Sequence, residues 1–557
     1  MNTGQYTCIE IFAKAIQYGG KITVISKQKD RMEKEGKEYY EWLKFPVKPD
    51  TEYEILIKDC QVTLCYLSGN ENILETGVCY LEQDNESGRF FLADEETQYH
   101  SPIREAYHFA SWKNWMNDPN GLCWFKGYYH MFYQCNPHWQ EWSNMYWGHA
   151  VSSDLVHWKH LPIVLSPQKE ILENQNKIKG GAFSGCAVAT EEEVLFYLTR
   201  HKGPLEDCEE SVEQQWMMSS SDMIHFTEET CIITKPPEGA SFDFRDPKVF
   251  KIDNRWYMVL GSAIEGKGAI LLYHSKDGKE WKYLHPLLIE EKEKIRCFEC
   301  PDFMKLDGKY LAIGAFMCHY DEHCRYQMSR YYIGNWKNQR LEEESSGWFD
   351  FGSNCYAMQS FEHQGRRICI GWISDFYHEH IEEEKGVYGS VTLPRELHIR
   401  DGKLYITPIE EIQLLKGEIL YQGSRENLSI HGIKGNAYRA KIKFQENIVF
   451  SILLGKDKES SISLLNDATG FRIQTEGVKS QGIRFQADVE KVIELEIFMD
   501  RRVVEVYVNE GETVGTKLFY NSSLEGCFEL HTRHAEKIEE VEVSLINTIW
   551  RRKEKSK

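Results

Sequence analysis

The chain has 557 residues, too many for one hydrophobic core and enough for about three or four domains of ordinary size. Its 86 acidic residues outnumber 66 basic ones for a net charge of −20, and Lys and Arg cluster only in the terminal RRKEKSK (551–557), so neither nucleic acid nor an anionic membrane is an expected partner. No apolar run reaches membrane-spanning length, MNTGQYTCIEIF lacks the layout of a signal peptide, and sixteen cysteines without a framework fit reduced thiols, so a cytoplasmic location is expected.

From the N-terminus, short alternating segments predict strands: KITVIS (21–26), YEILIKD (53–59), VTLCYL (62–67) and RFFLA (89–93). Long helical periodicity is nearly absent throughout, so the class is all-β. Residues 1–103 are read as an N-terminal β-rich accessory domain without an assignable polar constellation. A packing module that buries the edge of the next domain is the plain reading; a carbohydrate-binding module is the alternative, by analogy alone.

Next comes NWMNDPNG (114–121), where Asp118 sits among strong turn formers and by itself reads as a structural turn residue. The same layout then recurs. A polar motif precedes a turn and an aromatic-rich strand five times, with strands at GYYHMFYQ (127–134), EVLFYLTR (193–200), NRWYMVLGS (254–262), GKYLAIGAF (308–316) and GRRICIGWIS (365–374). Asp118, Ser184, Asp246, Glu299 and Gln359 lie 9, 9, 8, 9 and 6 residues ahead of those strands. The strands recur every 54 to 66 residues, enough for one four-stranded sheet per repeat. Units that cannot bury both faces alone stack radially, which predicts a five-bladed β-propeller over 104–408 with its polar motifs facing one funnel. A helical linker is predicted at 409–416 (IEEIQLLK), and a C-terminal β-sandwich over 417–557, with RAKIKF (439–444) and VVEVYVN (503–509) among its strands.

Three repeats place a carboxylate in the funnel: Asp118, Asp246 and Glu299. Glycosidic cleavage needs one carboxylate to attack or stabilise an oxocarbenium-like centre and one carboxylic acid to protonate the leaving oxygen. A third suits recognition of sugar hydroxyls, with Arg245 beside it to bind hydroxyls and moderate charge. Three acidic residues also suit a hard cation, and spacing alone leaves that alternative open.

The motifs WMNDPNG (115–121), FYQCNP (132–137), WGHAVSSDLVHWKHLPIVLSP (147–167), AFSGCAV (182–188), FRDPKVF (244–250) and CFECPDF (297–303) resemble the β-fructosidases of glycoside hydrolase family 32. YYIGNW (331–336), YAMQSF and GRRICIGW (356–372) and VTLPREL (391–397) extend the resemblance over roughly 105–410, and DRRVVEVYVNEGE (500–512) resembles the family's sandwich. The resemblance implies a retaining exo-β-fructosidase acting on sucrose, fructo-oligosaccharides or fructans. Asp118 would be the nucleophile, Glu299 the acid/base, and Asp246 the transition-state stabiliser with Arg245 assisting. Asn117, Gln134, Trp142, Phe183 and Ser184 match positions lining the terminal fructose pocket. No cofactor and no metal are implied, because carboxylates suffice. Oligomerisation through the sandwich or N-terminal domain is compatible with the resemblance.

Departures from the family pattern sharpen these expectations. Cys186 follows Gly185 where a serine is common, with a packing effect expected. Phe298 replaces the commoner Trp before the acid and is expected to alter the apolar wall around Glu299. MCHYDEHCRYQMSR (317–330) matches no sucrose-specific pattern and is expected to shape the leaving-group subsite. The pairs Cys297/Cys300 and Cys318/Cys324, with His319 and His323, form a rival zinc pattern, but Cys300 belongs to the fructosidase motif and the second pair is spaced too widely. Sucrose-6-phosphate hydrolysis and fructosyl transfer are the rival activities. A non-catalytic sugar-binding propeller would have lost a catalytic carboxylate, and both are kept.

Overall fold

The computed structural model describes residues 1–94, 104–175, 177–205, 210–379, 386–423, 433–519 and 526–550. No helix among these residues is long and apolar enough to cross a membrane.

The N-terminal segment forms a five-stranded sheet and a three-stranded sheet. Alternation places Ile9, Ile11, Val24, Phe45, Ile55 and Leu67 on the faces turned inward, where they share one core. The opposite face of the larger sheet carries aromatic side chains to the neighbouring unit. Phe12 meets Tyr146 edge-on at 5.4 Å, and Tyr80 stacks on Trp112 at 4.2 Å. These rings continue into a single large core with the propeller.

Five antiparallel four-stranded meanders follow among the described residues, the first two joined by a short parallel bridge between Asn144–Met145 and Gly180–Gly181. Their inner strands are Asn114–Phe125, Gly180–Ala189, Arg245–Ile252, Phe298–Leu306 and Cys355–His363. Each inner strand lies beside the next, and the last returns against the first, so they form a ring around one axis. Val387 and Tyr388 pair in parallel with Asn114 and Trp115 and help close it. This is a β-propeller. The inner two strands of each sheet are buried on both faces, which explains aromatic-rich strands such as YYHMFYQ in place of strict alternation.

Over the segment predicted as a helical linker, the chain makes a 3-10 helix, Glu410–Leu415, which buries Ile412 and Leu415. Two six-stranded sheets then pack face to face as a sandwich, with Ile442, Ile452, Leu464, Ile473, Ile497 and Val506 interleaved between them. Its seam with the propeller is charged. The Asp500 carboxylate accepts from the backbone N–H groups of Ala106, Tyr107 and His108, and Arg395 pairs with both Asp350 and Glu505.

Candidate active site

Every inner strand breaks register with its neighbour at the polar motif. Two residues bulge between paired positions: Asn117–Asp118, Phe183–Ser184, Asp246–Pro247, Cys300–Pro301 and Ala357–Met358. A bulge turns side chains out of the sheet plane and ends local pairing. Five bulges at the same height therefore turn the polar motifs toward the axis. Three of them carry non-glycine residues in the left-handed region, Asp246 (φ 64°), Cys300 (φ 45°) and Ala357 (φ 52°), at a cost of about 1–2 kcal/mol each. The fold tolerates that strain where function has a use for the geometry. In the second motif, Gly185 is required for another reason: a Cβ there would collide with the Tyr197 carbonyl.

The bulges open into a cavity of about 460 Å³ at the mouth of the axis. Asp118, Asp246 and Glu299 line it, as do Asn117, Gln134, Trp142, Phe183 and Arg245. Ser184, expected on the pocket wall, is instead fully buried beneath Asp118. Its hydroxyl donates to Asp118 Oδ2 at 2.5 Å. Gln134 Nε2 donates to the same oxygen at 3.2 Å, and Asn117 Nδ2 to Oδ1 at 3.2 Å. Trp115 Nε1 in turn donates to Asn117 Oδ1 at 2.8 Å and fixes that amide. Asp118 is thus held by oxygen and nitrogen donors from two inner strands and one neighbour.

The Glu299 carboxylate receives Arg245 Nη1 at 2.9 Å and the Tyr356 hydroxyl at 2.7 Å. Arg245 does not bring a free cation to it. Its Nε donates to buried Glu213 at 2.8 Å and its Nη2 to Asp243. Burial would push Glu213 up, but Arg245 and His201 outweigh it and hold that carboxylate below the ordinary range. Asp246 lies deepest. Its backbone N–H donates to Thr199 Oγ1 at 2.9 Å, and its Oδ2 accepts from the Cys300 N–H at 2.8 Å. Burial, reinforced by Glu299 and Asp118 and opposed by Arg245, pushes Asp246 up to about 8. Burial also raises Asp118, to about 6, with Glu299 adding and Ser184 and Asn117 opposing. The Cys300 thiol reaches both, at 3.5 Å from Asp118 Oδ2 and from Asp246 Oδ2.

Several of these residues escape sequence reasoning. Glu213 and Asp243 sit outside the repeated motifs, and only a preference for paired buried charge could have drawn attention to them. Tyr356 was within reach, because it opens the fifth motif, YAMQ. Gln359, counted as that motif's polar residue, lies past its bulge and takes Lys248 Nζ at 3.5 Å behind the pocket. Phe298 corrects the expected wall around Glu299. Adjacent strand residues point to opposite faces, so Phe298 packs inside its sheet against Phe316 at 5.4 Å. The apolar wall comes instead from Tyr356, Met317, Trp372 and Phe376. Cys186 accepts the Val249 N–H at 3.2 Å in the interior, in keeping with a packing role.

The rival metal patterns are differently placed. Cys300 faces the two aspartates, Cys297 packs on Met317 sulfur at 3.4 Å, and Cys318 and Cys324 are exposed. Among the described residues, no group of three or more His, Cys, Asp or Glu is arranged to hold a metal ion. In the pocket, the Arg245 guanidinium already stands where a cation would bind Glu299.

Comparison with known proteins places this geometry among relatives. The model of the glycosyl hydrolases family 32 N-terminal domain matches residues 108–408, and that of the family's C-terminal domain matches 422–547. A sucrose-6-phosphate hydrolase of Escherichia coli is 34% identical over 77% of this chain and 91% of its own length. One from Zymomonas mobilis is 32% identical over 73% and 84%. A family 32 glycoside hydrolase structure from Bifidobacterium adolescentis aligns over 99% of both chains at 30% identity with a TM-score of 0.91, so the N-terminal sheets have a counterpart there. A Bombyx mori β-fructofuranosidase, solved as a variant with sucrose, aligns over 82% of this chain and 97% of its own at 25% identity, TM-score 0.70.

Proposed function

Because the chain belongs to glycosyl hydrolase family 32 and is a glycoside hydrolase of the fructosidase kind, we propose that it is a retaining exo-β-fructosidase that removes terminal fructose from sucrose and short fructo-oligosaccharides. The observation that carries this reading is the convergence of Asp118, Asp246 and Glu299 from three separate inner strands on one pocket.

Asp118 attacks the anomeric carbon to form a fructosyl ester. Its Oδ2 is committed to Ser184 and Gln134, which orients the carboxylate and leaves the pocket-facing side of the group for attack. Glu299 hands a proton to the leaving oxygen and then takes one from water. Tyr356 and Arg245 hold its carboxyl in place across both steps. Asp246, raised by burial to about 8, keeps its proton at neutral pH and can both donate to and accept from sugar hydroxyls. Trp142 and Phe183 meet edge-on at 6.0 Å and give the fructose an apolar wall, with Phe183 stacked on His201 at 4.2 Å. The five meanders serve as five blades, and domain limits near 103, 408 and 416 fit this plan.

The relatives named for sucrose 6-phosphate favour a second reading, in which the leaving sugar carries a phosphate. Of the two arginines lining the pocket, Arg245 is spent on three carboxylates, and Arg296 is paired with Asp243 at 2.9 Å. Both are engaged by carboxylates, which favours the unphosphorylated substrate. Timed product analysis on sucrose, sucrose 6-phosphate, 1-kestose and inulin tests the proposal. Fructose is expected as the first monosaccharide from 1-kestose and inulin, with glucose following only after sucrose has formed; early release of internal oligosaccharides would overturn the exo assignment.

A further inference from the structure

The strand Lys309–Phe316 is joined to Ser329–Lys337 by 317–328, far longer than the Glu265–Gly266 turn at the matching place one meander earlier. This loop is braced from within. Buried Asp321 accepts the backbone N–H groups of His323 and Arg325 at 3.0 and 2.8 Å and the Arg325 Nε at 2.8 Å. Arg325, 2% exposed, reaches on to the Phe351 carbonyl at 3.2 Å and the Gln486 carbonyl of the sandwich at 3.1 Å. Tyr326 N–H donates to the Tyr377 hydroxyl at 3.1 Å. A buried arginine therefore ties the loop to two domains and fixes its shape.

What the braced loop displays is an aromatic pair. Tyr320 and Tyr326 bridge through their backbones, and their rings lie 4.5 Å apart at 36°. Tyr320 is 65% exposed, a large ring left in water at the edge of a pocket that Tyr326 lines. The pair continues inward. Tyr326 meets Phe376 edge-on at 5.7 Å, Phe376 meets Tyr356 at 5.1 Å, and Tyr356 donates to Glu299. A row of rings thus runs from the acid/base carboxylate to the outer surface. The acid protonates the leaving oxygen, so the row lies on the leaving-group side.

We propose that Tyr320 and Tyr326 form an outer stacking subsite for the second sugar unit of the leaving group, which makes the enzyme prefer fructo-oligosaccharides of three or more units to sucrose. The proposal rests on the fructosidase reading above. Sugar rings present C–H groups on one face, and an exposed ring held rigid stacks on them with little entropy to lose. A disaccharide's leaving glucose meets the rings nearest Glu299; a trisaccharide's second leaving unit is the one carried outward to Tyr320 at the exposed end of the row. The loop's two tyrosines are placed by Arg325 and by Tyr377, which packs on Phe485, so the sandwich takes part in substrate choice through these side chains.

The test is the ratio of kcat/KM for 1-kestose to that for sucrose, in the wild type, Tyr320→Ala and Tyr320→Phe. The wild type should show a ratio above one. Tyr320→Ala should lower it by roughly 5–20-fold, and Tyr320→Phe should keep it, because the ring and not the hydroxyl does the stacking. A ratio unchanged in Tyr320→Ala, whether both rates fall together or neither moves, overturns the subsite. Wild-type enzyme that hydrolyses no fructoside at all would overturn the fructosidase reading, and the subsite with it.

Discussion

Asp118 and Asp246 on the pocket floor and Glu505 at the propeller–sandwich seam are buried carboxylates that their surroundings move in opposite directions. At the seam, Glu505 is fully buried, and burial alone would push it up. Arg395, His108 and Tyr507 outweigh that and hold it at about 2. His108, whose burial would lower it, is raised to about 9 by its bonds to Asp500 and Glu505. On the floor, Asp118 and Asp246 stand near one another and near Glu299, with one arginine whose charge is shared among Glu213, Asp243 and Glu299. Their carboxyls rise to about 6 and about 8. Fully paired charge fastens two domains; under-paired charge is kept for chemistry.

The strongest way to break this comparison is to remove the reacting groups. Asp118→Ala and Glu299→Ala should each cut kcat/KM for sucrose by several orders of magnitude, roughly 10³–10⁵-fold, while the unfolding transition stays within about 1 kcal/mol of wild type. Arg395→Ala should do the reverse. Leaving Glu505 and Asp350 buried without their cation should cost roughly 3–5 kcal/mol in denaturant unfolding, with the chemistry of the folded fraction retained.

Asp246 and Glu505 should also answer pH with opposite signs. Asp246 binds its proton more tightly when folded, so its contribution to stability is complete below its ordinary value of 3.8 and lost as pH rises toward about 8. Asp246→Asn escapes that loss. The variant should be inactive yet more stable than wild type at pH 8, by about 1–2 kcal/mol, with the gain gone near pH 4. Glu505 works the other way: its contribution is present above 4.5 and lost as pH falls toward about 2. Thermal melts from pH 2 to 8 on wild type and variant read both limbs. Smaller effects sharpen the picture. Tyr356→Phe removes one of two donors to Glu299 and should lower kcat by roughly 5–20-fold without changing the melt. Cys186→Ser, in the interior behind the pocket, should leave kcat/KM within about two-fold and stability within about 1 kcal/mol.

Much of this site was legible because a repeat writes it five times. Asp118, Asp246 and Glu299 each stand in a motif ahead of a strand, so the ring that gathers them follows from counting. The bulges do not follow from counting. Gln359 was misplaced because a bulge shifts which face each later residue takes, and Phe298 was misread as wall because its neighbour Glu299 faces the other way. Glu213 and Asp243 stayed hidden, since a carboxylate that supports an arginine has no local pattern. Likewise the seam's Asp500 and its contacts with Ala106, Tyr107 and His108 join segments almost four hundred residues apart, and no local signal announces them.

The central claim is that Asp118 forms a covalent bond to fructose, and the stereochemistry of transfer tests it most directly. Sucrose is cleaved with methanol present as a competing acceptor, and the anomer of the first methyl fructofuranoside is read by NMR. Two displacements through Asp118 predict the β anomer, with configuration retained. The α anomer would mean a single displacement by solvent and would contradict the account.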